Sequence, residues 1–157
     1  MAEAREVLRL SGLRKSYNIG RPNEVEVLHG IDLRLDSADF AALVGPSGSG
    51  KSTLLNQIGL LDSPTAGELY LLGQPTRDMD DAARTALLLA DEPAGNLDTQ
   101  TAADVFALLR RFNRQFGCAV LVVTHDPRLA ESCGRAITLI DGRIRTDVRR
   151  ADVPPTD

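Results

Sequence analysis

Lysine is nearly missing from this chain. Of its 18 basic residues only Lys15 and Lys51 are lysines, and the others are arginines. A lysine inside a motif is therefore not a draw from a lysine-rich surface. Cysteine is equally scarce. Cys118 and Cys133 are the only two, in neither a C-x-x-C pair nor a zinc spacing, which excludes a disulfide framework and leaves reduced structural thiols. There is no excess of positive charge. The net charge of −4 and pI of about 5.2 argue against a nucleic-acid partner. No apolar run approaches the length of a membrane span, and Met1–Leu10 lacks a basic segment followed by an apolar one. The expectation is a chain of cytosolic type, with any membrane link running through a partner. Its 157 residues favour one domain, and 43% hydrophobic residues suffice for a core.

What is present begins with Gly45-Pro46-Ser47-Gly48-Ser49-Gly50-Lys51-Ser52-Thr53, which satisfies the phosphate-loop pattern G-x-x-x-x-G-K-[ST]. The apolar run Phe40–Val44 before it suits a buried parallel strand. Ser52–Ile58 after it starts a helix with Leu54, Leu55 and Ile58 on one face. Strand, glycine loop and helix start are what a triphosphate needs. Glycines let backbone N–H groups converge on phosphate oxygens, and the helix N-terminus adds unpaired donors and a favourable dipole. Lys51 suits the β- and γ-phosphates, and the Ser52 hydroxyl suits Mg²⁺. This context separates the motif from a chance glycine-serine loop.

Along the chain, 7–13 and 25–35 alternate as antiparallel strands, with a loop at 18–23. A turn at 62–67 leads to a strand at 68–72, and 78–85 is a weakly patterned helix candidate. Apolar runs at 87–91 and 119–123 read as buried strands. Thr99–Phe116 is an amphipathic helix closed by Gly117, and 136–145 is a hairpin turning at Asp141-Gly142. From the phosphate loop onward this alternation predicts a parallel α/β sheet covered by helices, beside a small antiparallel layer.

Two strands end in chemistry. Leu87–Ala90 runs into Asp91 and Glu92, and Leu121–Val123 runs into Thr124, His125 and Asp126. Ligands of open α/β sheets lie beyond the carboxyl ends of the strands. Asp91 suits Mg²⁺, Glu92 suits a group that orients or deprotonates water, and His125 suits a γ-phosphate contact. His29 is read as a surface or packing residue.

These segments together resemble the ATP-binding subunit of ABC transporters. GPSGSGKSTLL, LLLADEP as Walker B, GNLD at 95–98 and VVTHD ending at Asp126 follow that family's order. The GNLD and THD wording is closest to the lipoprotein-release and macrolide-export branch. The resemblance covers about Leu8 to Asp147. It implies a P-loop NTPase core that binds ATP and Mg²⁺ through Walker A (Gly45–Thr53) and through Asp91. It also implies Glu92 as catalytic base, His125 as γ-phosphate sensor, Tyr17 stacked on adenine and Asp98 in a loop reaching the partner subunit. The implied partners are transporter membrane subunits and a second nucleotide-binding subunit, the same or different. The implied place is the cytoplasmic face of the membrane.

The chain also departs from the family. Lys51 and Asp91 are 40 positions apart (91 − 51), an interval in which the family holds a glutamine loop, a helical subdomain and an LSGGQ-type signature. No Ser-Gly-Gly occurs here, and Gln57, Gln74, Gln100 and Gln115 lie outside a glutamine-loop context. The expected organisation is one shortened ABC-type nucleotide-binding domain at 1–148 and a disordered tail at 149–157. Loss of the strand before the glutamine loop is expected to expose a sheet edge beside Walker B. Three functional readings follow: an ABC transporter ATPase subunit, a truncated ATP-binding remnant with little hydrolysis alone, and an unrelated small P-loop enzyme such as a nucleotide kinase. The last needs an acceptor site and an arginine-lined lid, for which Arg77 and Arg84 are too few, and it would leave GNLD and THD unexplained.

Overall fold

The computed structural model describes residues 5–76, 87–93 and 98–150. The helix candidate at 78–85, Arg77, Arg84 and Gly95 lie outside these residues. Two sheets carry the fold. The first is antiparallel, in the order β2-β1-β4-β5, from β1 (Glu6–Tyr17), β2 (Val25–Asp36), β4 (Ala66–Leu71) and the short β5 (Gln74–Pro75). The second has the order β6-β7-β3-β8-β9, from β3 (Phe40–Val44), β6 (Leu87–Asp91), β7 (Ala119–Val123), β8 (Arg135–Ile140) and β9 (Arg143–Arg149). Its first four strands are parallel, and β9 returns antiparallel to β8. The architecture is a mainly parallel sheet covered by helices with an antiparallel layer.

Burial explains the patterning. β1 and β2 alternate because one face of their sheet packs inward, with Leu8, Leu10, Leu13, Leu28, Ile31 and Leu35 buried. β7 is buried along its whole length, because helices and sheet cover both its faces. Helix α1 (Lys51–Ile58) fills the space between the sheets with Leu54 and Ile58. Helix α2 (Thr99–Phe116) packs on the far face through Ala102 and Phe106 against Phe40, Val120 and Val122. A further helix, α3 (Pro127–Ser132), was not read from the sequence. Its signals are local: Asp126 accepts from the Arg128 N–H at 2.9 Å, and Pro127 opens the first turn.

An ionic cluster around the buried Arg135 ties the layers together. Arg135, 5% exposed, donates to Asp147 at 2.7 and 2.5 Å, to Asp39 at 3.2 Å and to the Arg34 carbonyl at 2.7 Å. It thereby joins β8, β9 and β2. Arg149 also bonds Asp39, and the Arg150 N–H donates to the Gly134 carbonyl. β9 thus ends on the first residue of the stretch expected as tail, of which residues 151–157 lie outside the described residues. Cys118 and Cys133 are free and buried, and burial pushes the Cys133 thiol up to about 11.

Candidate functional site

Three parallel strands end on one line. Leu43 of β3 and Asp91 of β6 both stand in register with Val123 of β7. The residues that follow them, Gly45, Glu92 and His125, therefore leave the sheet at the same edge.

The phosphate loop runs from β3 into α1. Its Lys51 ammonium donates to the Gly45 and Pro46 carbonyls at 2.6 and 3.0 Å, and the buried Ser49 hydroxyl donates to the Pro46 carbonyl at 2.7 Å. These bonds hold the loop curled over a cavity of about 280 Å³ lined by Ser47–Thr53 and Val27. Gly45 is required by close approach, since a Cβ there would overlap the Leu139 carbonyl oxygen. Ser52 is exposed at the start of α1, so its hydroxyl is available to a ligand.

Val27 and Gly142 belong to this site and were missed in the sequence. Gly142, in the turn between β8 and β9, donates its N–H to the Ser49 carbonyl at 2.9 Å. Its own carbonyl accepts from the His29 N–H at 3.0 Å. A side chain there would overlap the Val27 carbonyl, and its φ of +71° lies where L-residues are strained. The Asp-Gly pair signalled a turn, but nothing in the sequence tells which loop that turn touches.

The other expected residues fall into two groups. At the strand ends, Glu92 Oε1 lies 2.6 Å from His125 Nδ1, and the Glu92 N–H donates to the Val123 carbonyl at 2.8 Å. Asp91 beside them is exposed. Elsewhere, Asp98 caps α2 by accepting from the Thr101 N–H at 2.8 Å, which holds its carboxyl below the usual range. Tyr17 stands at the end of β1 with the Lys15 ammonium 5.1 Å from its ring centre, and it does not line the phosphate-loop cavity.

The donor set fits a hard cation bound together with phosphate. Among the described residues no three His, Cys, Asp or Glu side chains lie close enough to hold a metal alone. Ser52 and Asp91 offer one hydroxyl and one carboxylate, and Mg²⁺ usually takes one or two protein oxygens and completes its shell with phosphate and water.

The family model described as ABC transporter matches residues 28–104. The lipoprotein-releasing system ATP-binding protein LolD 1 of Rhodopseudomonas palustris is 37% identical over 222 aligned positions, covering 88% of this chain and 98% of that protein. That alignment is longer than the chain's 157 residues, so the relative carries residues with no counterpart here. The macrolide export ATP-binding/permease protein MacB of Rhodopirellula baltica is 28% identical and is matched over 33% of its own length. Among solved structures, the ATP-binding cassette MJ0796 in a dimeric post-hydrolysis state with ADP and Pi superposes with a TM-score of 0.82 at 23% identity, over 95% of this chain and 100% of that one.

Proposed function

The chain belongs to the ABC transporter family of ATP-binding subunits, and from that premise we propose that it serves a transporter of the lipoprotein-release type. In this reading it holds ATP and Mg²⁺ on the Gly45–Thr53 loop and passes the energy of hydrolysis to membrane subunits. The observation that supports it is that β3, β6 and β7, which lead into Gly45, Glu92 and His125, end in register, with Glu92 against His125 and Lys51 bonded to the Gly45 carbonyl.

The residues divide the work by their chemistry. Backbone N–H groups of 47–53 cradle the phosphates, and Lys51 adds a cation while still bracing the loop through Gly45 and Pro46. Mg²⁺, held by Ser52 and Asp91, supplies charge neutralisation at the β- and γ-phosphates. Glu92 accepts the proton of the attacking water. His125, gripped by Glu92, keeps the carboxylate oriented and faces the γ-phosphate. Among the described residues no helix is long and apolar enough to cross a membrane.

These groups approach the γ-phosphate from one side. The short interval between Lys51 and Asp91 leaves no signature to close the other, and losing one preorganised donor typically costs about 10²–10³ in rate. The isolated chain therefore binds ATP and turns it over very slowly. The test is ATP turnover by the purified chain, alone and mixed with a full-length family member substituted at its counterpart of Glu92. Turnover that rises on mixing and depends on Glu92 supports the reading. Brisk Glu92-dependent hydrolysis without a partner overturns the claim of an incomplete site, and absence of ATP binding overturns the function.

A further inference from the structure

The sequence Leu87-Leu88-Leu89-Ala90 is that of an interior strand, yet among the described residues β6 pairs only with β7 and ends the sheet. Parallel strands with continuous apolar runs belong where both neighbours and both faces are covered. Here all four residues are half-buried, whereas β7 beside them is fully buried. The edge also lacks the usual protection. It has no lysine, proline or inward charge before Asp91.

Both flanks of this edge are apolar. On the α1 side a groove of about 180 Å³ runs between Leu60, Leu71, Leu87 and Leu89, and Leu61 stands beside it 81% exposed. On the α2 side, Leu108, Phe112 and Phe116 recur every four residues and are 50%, 41% and 64% exposed, with the two rings stacked at 5.5 Å. Arg110 fixes the direction of this stripe. It leans over Phe40 of β3, at 5.1 Å, and Phe112 lies roughly 200° further round the helix, toward β6.

We propose that β6 is a dimerisation edge: two copies of this chain pair β6 antiparallel to β6, forming one continuous sheet. Symmetry argues for a second copy as the occupant. Antiparallel edge pairing has its two-fold axis perpendicular to the sheet, so α2 stays on the same face in both copies. Stripe then meets stripe and groove meets groove, with Leu89 near the axis and no charge opposed within the strand centre. Among the described residues there is one apolar edge of this kind, so the assembly closes at two. This contact needs no nucleotide and does not depend on the functional reading above.

Sedimentation velocity on the full chain in EDTA without nucleotide, from low to high micromolar, tests it. The expected result is a reversible monomer–dimer equilibrium, unchanged by ATP or by Lys51→Ala. Phe112→Glu with Phe116→Glu, at exposed helix positions, should weaken it roughly tenfold or more. Amide exchange on the unsubstituted chain gives an independent reading: Leu87–Asp91 should gain protection as concentration rises. A monomer throughout, a dimer requiring ATP, open-ended polymers, indifference to the Phe substitutions, or β6 protection independent of concentration would each overturn the proposal.

Discussion

His125 Nδ1 sits 2.6 Å from Glu92 Oε1, so the polar ends of β7 and β6 touch although 33 positions separate them in sequence. The contact forms because both strands are parallel neighbours that end in register, with Asp91 opposite Val123. A carboxylate held on a histidine has a fixed direction, which is what a water-activating base requires. Glu92→Gln should leave ATP affinity within a few-fold and reduce partner-supported turnover roughly a hundredfold or more. Single-turnover assays in the mixed dimer would measure this, and unchanged turnover would remove Glu92 from the chemistry.

Lys51→Ala should weaken ATP binding about tenfold or more, the loss expected for a charge-assisted contact worth roughly 1.5–3 kcal/mol. Two effects add, because the same ammonium also braces the Gly45 and Pro46 carbonyls. Calorimetry gives the affinity directly, and equal binding by variant and parent would contradict the assignment.

Gly142→Ala tests whether a turn outside the motif positions the phosphate loop. A Cβ there has no room against Val27, and the turn would pull its N–H away from Ser49. The expected outcome is both a lower unfolding midpoint and weaker ATP binding, whereas Gly117→Ala, which has open space at its Cβ position, should cost stability without touching affinity. Affinity losses of equal size in both variants would deny Gly142 a positioning role.

Gln57→Leu should stabilise the protein. Gln57 is fully buried, and neither its amide nitrogen nor its oxygen has a partner among the described residues. An unsatisfied buried polar group costs about 1–3 kcal/mol, and leucine fills similar space beside Leu54 and Ile58. Urea unfolding should show a higher midpoint with unchanged slope. A lower midpoint would mean that water satisfies the amide.

Acid stability should depend on Asp147. The Arg135 hydrogen bonds hold its carboxyl below the ordinary value of 3.8, so the unfolded state binds this proton more readily than the native state. The stabilisation is therefore complete above 3.8 and is lost as pH falls through the lower folded value. Asp147→Asn should reduce stability at neutral pH and flatten the decline below about pH 4. Urea midpoints across a pH series would show it, and parallel curves for the two proteins would refute it. Arg135→Ala, which removes the partner of Asp147 and one of the two arginines on Asp39, should lower the urea midpoint at neutral pH.

Local information was legible wherever a rule of short range controls the outcome. The limits of α2 follow from a 3.6-residue period and from Gly117, in the left-handed region, at its end. The strands at 87–91 and 119–123 follow from apolar runs. Asp98 and Asp126 show where such reading divides. Each is a helix cap, accepting from the Thr101 and Arg128 N–H groups, beside the role its segment suggests.

The sequence by itself determined the phosphate loop, the order of strands and helices, and the chemical types waiting at the strand ends, because each depends on neighbours a few residues away. Only the tertiary structure decided that Glu92 meets His125, that Gly142 backs Ser49, and that Arg135 joins Asp39 to Asp147. Those facts depend on strand order and layer packing. Sheet order is set by the balance of burial and backbone pairing over the whole chain, and no local pattern encodes which side chains from distant segments meet.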